Sequence, residues 1–288
     1  MYLLFDIGGS NIKIAFAGDA QTFEEPLITA TPQDFNAGMQ AILKAARELT
    51  RGRRVVTACG GVAGVMNQGK NELVRSPHLP LWIGKPLAEE LKKILAAPVM
   101  LQNDTALVGL GEAHRGAGRG KDIVVYITVS TGVGGVRIVD GRIDRNQYGF
   151  EPGHQIIDVS GGACESCNTD EHDFCGRGHL ENYISGSALK KRFGKEPNEI
   201  LNPVVWDELA KFLAYGLNNT ILHWSPNVVV LGGSMMVREV GIKISAVEKH
   251  LKKILTIFPE LPEIRKAELG EIGGLHGALA FIRGRGRM

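Results

Sequence analysis

The sequence predicts an α/β protein made of two related halves. Strand and helix patterns alternate along the chain, the arrangement expected of α/β folds. A glycine-rich turn after the first strand returns about one domain later in a second hairpin of the same character, Asp6-Ile-Gly-Gly-Ser-Asn-Ile-Lys-Ile14 against Ser130-Thr-Gly-Val-Gly-Gly-Val-Arg-Ile138. In that register Gly8 falls on Gly132, Ile12 on Val136, Lys13 on Arg137 and Ile14 on Ile138, which points to a duplicated unit. With 288 residues, 44% of them hydrophobic and 22% charged, the chain can build two packed cores and shows no disorder signature.

Leu3–Asp6 and Ile12–Phe16 read as short strands joined by Gly8-Gly9-Ser10-Asn11. Residues 31 to 50 read as a helix. Thr31 is its N-cap, Pro32 its first residue and Asp34 its acidic third position, and Phe35, Met39, Ile42, Leu43 and Ala46 form one apolar stripe. A strand at 54–59 runs into Gly60-Gly61-Val62-Ala63-Gly64. A helix at 86–95 follows, then a strand at 98–102 that ends on Asn103-Asp104 and a helix at 105–113. The second half restarts with strands at 122–129 and 133–139. After a cysteine- and glycine-rich excursion come a helix at 206–224, a strand at 227–231, the turn Gly232-Gly233-Ser234, a helix at 240–255, a strand at 264–269 and a final helix at 274–282.

Charge and hydropathy restrict the function classes. A net charge of +2 does not demand a broad nucleic-acid face, and the basic run from Arg283 to Arg287 reads as a solvated terminus. No apolar run reaches the roughly 20 residues of a membrane span. The opening Met1-Tyr2-Leu3-Leu4-Phe5-Asp6 lacks a basic n-region, so a cytoplasmic protein is expected. In that reducing setting Cys164, Cys167 and Cys175 read as metal ligands before disulfides. Neither a P-loop nor a dinucleotide-binding glycine motif occurs.

The glycine turns offer backbone N–H groups that can approach phosphate oxygens with no side chain between. Two such hairpins could clamp one polyphosphate. Asp6 would then serve a Mg²⁺ ion, and Gly232-Gly233-Ser234 would lie against a nucleoside. The nucleotide set is Asp6, Gly8, Gly9, Ser10, Asn11, Lys13, Thr131, Gly132, Gly134, Gly232, Gly233 and Ser234. Asp104 stands at a strand end and a helix start. There it can cap the helix or take a proton from an attacking hydroxyl, and the two phosphate turns in the same chain favour the base.

These residues resemble the ROK family of repressors, open reading frames and sugar kinases. The resemblance spans the chain through Asp6-Ile-Gly-Gly-Ser-Asn-Ile-Lys, Gly60-Gly61-Val62-Ala63-Gly64, Gln102-Asn103-Asp104, Ser130-Thr-Gly-Val-Gly-Gly, Glu151-Pro-Gly-His154, Cys175-Gly-Arg-Gly-His-Leu-Glu181 and Val230-Leu-Gly-Gly-Ser234. It implies a two-lobed actin-like ATPase (ribonuclease H-like) fold with a cleft between duplicated α/β domains. The small lobe would be residues 1–105, completed by the helix 274–288, and the larger lobe residues 106–273. It further implies sugar contacts at Gly64, Asn103, Asp104, Glu151, His154 and Glu181, with Asp104 the catalytic base, Mg²⁺ with ATP as donor, and a homodimer. A structural Zn²⁺ is implied at His154, Cys164, Cys167 and Cys175 within the loop 154–179. The cysteine spacing departs from the family pattern, and His179, at the position of the last cysteine, or His172 could replace one thiolate. His78 and Phe150 also depart from it, and both bear on which sugar is bound.

The expected activity is phosphorylation of a hexose hydroxyl, with glucose first and fructose, mannose or an N-acetylhexosamine as alternatives. Polyphosphate is an alternative donor. From a different class comes a catalytically silent sugar-binding or regulatory protein. A repressor would carry an additional N-terminal helix-turn-helix, and here the first strand already begins at Tyr2.

Overall fold

The computed structural model describes residues 1–159 and 178–285. In chain order the first elements are β1 (Tyr2–Ile7), β2 (Asn11–Ala17), β3 (Leu27–Ala30), α1 (Phe35–Thr50), β4 (Thr57–Val62), β5 (Val65–Met66) and β6 (Leu73–Arg75). Next come α2 (Leu87–Leu95), β7 (Val99–Asn103), α3 (Asp104–Arg115), β8 (Ile123–Val129), β9 (Val133–Val139) and β10 (Arg142–Ile143). The rest are α4 (Glu181–Ile184), α5 (Gly186–Phe193), α6 (Pro203–Trp224), β11 (Val228–Gly232), α7 (Ser234–Val237), α8 (Ile244–Ile254), β12 (Glu263–Lys266) and α9 (Gly273–Arg285). Contacts divide the chain into two compact units. One comprises residues 1–115, 141–149 and 269–288, the other residues 116–140 and 150–268.

The first sheet has the order β3-β2-β1-β4-β7, with β1 and β2 antiparallel and β1, β4 and β7 parallel. Leu3, Leu4, Phe5 and Ile7 are all fully buried, the apolar pattern of a strand covered on both faces, interrupted only by Asp6. The strand at β4 lies three residues later than the sequence suggests. It runs through Gly60 and Gly61 because those positions face occupied space: a Cβ on Gly60 would overlap the Phe5 ring, and one on Gly61 would come 2.8 Å from Asp104 Cα.

Helix α1 buries Phe35, Met39, Ile42 and Ala46 of the expected stripe and leaves Leu43 half-buried, but starts three residues late. Asp34, not Thr31, is its N-cap, accepting from the Ala37 N–H at 2.8 Å. Thr31 is drawn away by partners in the β1–β2 turn. Its hydroxyl donates to Gly8 O at 2.7 Å and its N–H donates to Ser10 O at 2.9 Å. Helices α3 and α9 cross with their backbones in contact. A Cβ on Gly111 would overlap the Gly273 carbonyl, and one on Gly277 would overlap that of Leu107.

The second sheet, β10-β9-β8-β11-β12, repeats the strand order, and β8, β11 and β12 are parallel. Its core is formed by Val125, Ile127, Val229 and Leu231 against Leu209, Leu213, Leu217 and Ile221 of α6. Asn202 starts that helix by accepting from Val204 N–H at 3.0 Å, and Ser225 ends it with φ 45°. The duplication is therefore real in strand order, but the residue-for-residue alignment of the two turns is not. The last hairpin pair is Ile7–Ile12 in the first unit and Val129–Val133 in the second, so the equivalent positions are shifted by two to three residues. Gly134 and Gly135 consequently lie inside β9. There a Cβ on Gly135 would come 2.7 Å from both Ile127 Cδ1 and Pro152 Cγ.

Candidate active site

In the first unit, parallel pairing aligns Asp6 with Gly61, and Gln102 of β7 also pairs with Gly61. The carboxylates Asp6 and Asp104 thus arise from strands on either side of β4, at the carboxyl end of the sheet. Asp6 is raised to about 7 by burial, then by the Asp104 charge, against the opposing pull of Lys13. Asp104 is also raised by burial, opposed by the Thr105 N–H that donates to its Oδ1 at 2.7 Å and by His78. Lys13, the cross-strand partner of Asp6, lies 4.0 Å from Glu271. The first turn of α9 also bounds Asp6, since a Cβ on Gly274 would come 3.1 Å from its Oδ2.

Asp104 is the first residue of α3, yet the cap belongs to Asn103. Asn103 Oδ1 accepts from Ala106 N–H at 3.0 Å, and its Nδ2 donates to Gly64 O at 3.0 Å. Each end of that amide has capacity for one more hydrogen bond. Gly64 has φ 132°, and a Cβ there would come 2.8 Å from Ser76 Cβ, so only glycine suits the position. Ser76 donates to Ala63 O at 2.7 Å and accepts from Leu79 N–H at 3.2 Å. That fixes the segment carrying His78, which lies over Gly9: a Cβ on Gly9 would come 2.5 Å from His78 Cβ.

The second unit holds the other sequence-derived residues. The 130–132 turn is tight, with Ser130 N–H donating to Gly132 O at 2.9 Å. Glu181 accepts from Val133 N–H at 2.6 Å, which ties its carboxylate to that turn. Glu151 and His154 flank Pro152 and Gly153, and Gly153 is required because a Cβ there would overlap Val133. Phe150 packs edge-on against Trp224 at 5.1 Å between ring centres, so it belongs to the packing of this unit. Gly233 has φ 89°, and both it and Gly232 are confined by β8. A Cβ on Gly232 would come 2.5 Å from the Tyr126 hydroxyl, which gives these glycines a packing role.

His154 Nδ1 and His179 Nδ1 lie 3.3 Å apart. Two nitrogens on one tetrahedral zinc at about 2.0–2.1 Å would be separated by roughly 3.3–3.4 Å. Burial, then the His154 charge, holds His179 below the usual imidazole range, which favours the neutral ring that a metal requires. Cys164, Cys167, Cys175 and His172 lie outside the described residues. Among the described residues no group of three or more His, Cys, Asp or Glu side chains converges, and no helix is long and apolar enough to cross a membrane.

The model of the ROK family matches residues 2–285. The chain belongs to the ROK family. It is 30% identical over 312 residues to an N-acetyl-D-glucosamine kinase of Yersinia pseudotuberculosis, covering 98% of each chain. A ROK hexokinase from Thermus thermophilus superimposes with a TM-score of 0.81 at 25% identity, covering 99% of both chains. A ROK family glucokinase from Streptomyces griseus, in complex with glucose and AMPPNP, gives a TM-score of 0.77 at 25% identity over 98% of this chain and 99% of that one. The fold is that of the actin-like ATPases.

Sequence reasoning missed the roles of Thr31 and Glu181 within the turns and the packing of His78 on Gly9. The Thr31-Pro32 pair could have signalled the first, because a threonine before proline is held extended and can face a neighbouring strand.

The raised Asp6 carboxyl has a consequence for stability. The folded chain keeps this proton between about pH 4 and 7, where the unfolded chain has lost it. The stabilisation linked to that proton is therefore full below the unfolded value and is lost as pH rises through about 7. Without Mg²⁺, Asp6→Asn is expected to be more stable than the parent at about pH 8 by about 1–2 kcal/mol, with a smaller gap at about pH 5. Urea unfolding at the two pH values measures this. Equal or lower stability of the variant at the higher pH would contradict the burial of this charge.

Proposed function

We propose that the chain is an ATP-dependent hexose kinase with Asp104 as general base and glucose as its first acceptor. One observation carries the reading: a half-buried carboxylate just after β7 is freed from capping by Asn103 and placed near Asp6. A carboxylate with a raised proton affinity is a better base towards a hydroxyl than a solvated one. In the step proposed, the sugar hydroxyl gives its proton to Asp104 as its oxygen bonds to the γ-phosphorus, and the bond from that phosphorus to the departing ADP oxygen breaks. The turn at Gly8–Asn11 orients the phosphates through backbone N–H groups.

Asp6 is a hard oxygen donor whose ionisation the Asp104 charge opposes and a divalent cation would favour, so its carboxylate fits Mg²⁺. When bound, the ion would supply charge neutralisation at the phosphates. For sugar hydroxyls the proposed contacts are Asn103, the Gly64 backbone, Glu151, His154 and Glu181. The 30% identity to an N-acetyl-D-glucosamine kinase supports a second reading, in which the acceptor is an N-acetylhexosamine.

ADP release measured across glucose, mannose, fructose and N-acetylhexosamines, with ATP and with polyphosphate, tests the proposal. The reading expects kcat/KM for glucose with ATP to lead the panel. A lead by N-acetylglucosamine moves the acceptor to the second reading, and no turnover with any sugar overturns the kinase.

The 3.3 Å approach of the two ring nitrogens supports a zinc site that His154 and His179 share, a set in which His179 takes one of the positions expected for cysteine. Metal analysis of protein purified without chelator is expected to give about one zinc per chain, and His179→Ala should reduce it severalfold. Absence of zinc from the parent protein removes the site.

A further inference from the structure

The two glycine turns share a feature that their glycines do not explain. In each, carbonyl oxygens of the turn are taken up from behind by another segment. In the 130–132 turn, Ser130 O accepts from Gly186 N–H at 2.7 Å and Thr131 O accepts from Ser187 N–H at 3.3 Å, at the start of α5. In the first turn, Gly8 O accepts from the Thr31 hydroxyl at 2.7 Å, Ser10 O from Thr31 N–H at 2.9 Å, and Gly9 O from Gln33 Nε2 at 3.4 Å. Gly8 N–H meanwhile donates to Asn11 O at 3.0 Å across the turn.

A peptide group has opposed ends. A turn that receives an anion through N–H groups must keep its carbonyl oxygens away from the anion, because each would repel it. Taking up those carbonyls from one side fixes the orientation of their peptide planes. The second turn does this with backbone donors alone. The first adds side chains to the Thr31 N–H, the Gln33 amide at 3.4 Å and, in the shortest of these bonds, the hydroxyl of Thr31, a residue 8% exposed.

That side chain is itself held. Trp82, fully buried, donates from its indole N–H to Gln33 O at 3.1 Å and to Pro32 O at 3.3 Å. Its ring fills the space that a side chain on Gly38 would occupy and packs edge-on against Phe35 at 5.4 Å. Residues 31–33 are thus a strap clamped between the core and the turn. It also accounts for the late start of α1, since Thr31 cannot both cap a helix and hold Gly8.

We propose that Thr31 is a positioning residue for the triphosphate: its hydroxyl holds the Gly8 carbonyl so that the first glycine turn presents N–H groups to the phosphates. The inference rests on reading that turn as the phosphate site of a kinase. Thr31→Val keeps the shape and deletes the donor, and Thr31→Ser keeps the donor. Loss of one such hydrogen bond corresponds to a change of about fivefold.

Steady-state kinetics of both variants, with binding of a non-hydrolysable ATP analogue, provide the test. Thr31→Val is expected to raise KM for ATP and the analogue Kd about fivefold or more and leave KM for the sugar within about twofold. Thr31→Ser should restore the parent values. A purely structural role would move sugar and nucleotide constants together, or shift only the melting temperature, and either result overturns the proposal. Gly9→Val, which forces a side chain into His78, separates the two levels of inference. If it weakens the analogue while Thr31→Val does not, the role of Thr31 fails and the phosphate turn stands. If neither changes nucleotide binding, the phosphate turn fails and Thr31 with it.

Discussion

The first unit is organised around the contact between Gly61 and the backbone of Asp104. Only hydrogen at Gly61 lets the start of α3 settle against β4, where a Cβ would come 2.8 Å from Asp104 Cα. Asp104 lies close enough to Asp6 for its charge to work against the ionisation of Asp6. Neither is in full contact with water, and burial is the largest influence on both. Such an arrangement weakens the folded state above neutral pH, as sites that bind cations and phosphate often do. The packing of α9 on α3 and the approach of Gly274 to Asp6 add a second wall of backbone around the same pair.

The glycine turns extend the same logic from charge to dipoles. Their glycines permit tight geometry, and segments behind them hold the carbonyl oxygens in place. The Thr31–Gln33 strap, tied to the core through Trp82, performs this task in the first unit, and the start of α5 performs it in the second. Both turns are therefore set by ordinary fold-building hydrogen bonds.

Much of this was legible in the sequence, for identifiable reasons. Apolar runs such as Leu3–Phe5 and the stripe from Phe35 to Ala46 fixed strand and helix identity, and the recurring glycine turn announced a repeat that the strand order bears out. Asn103-Asp104 was recognisable as a strand-to-helix corner, but which of the two capped the helix depends on side-chain direction, which sequence does not encode locally. Thr31 was misassigned for a similar reason. A good helix cap in isolation, it was taken by a partner 23 residues away in sequence. The turn alignment failed because glycines that pack a strand, such as Gly135 against Ile127 and Pro152, look the same in sequence as glycines that make a turn. His179 was read as an alternative to a cysteine, and its 3.3 Å approach to His154 required the fold.

The account depends most on Asp104 acting as a base and not as a structural carboxylate. Asp104→Asn keeps the size of the side chain and removes its ability to take a proton. Single-turnover phosphoryl transfer by this variant, measured alongside equilibrium binding of the sugar, is the most direct examination. The expected result is a fall in the single-turnover rate constant of at least about 10²-fold with sugar affinity within about tenfold of the parent. Transfer at near-parent rates with the sugar bound normally would contradict it.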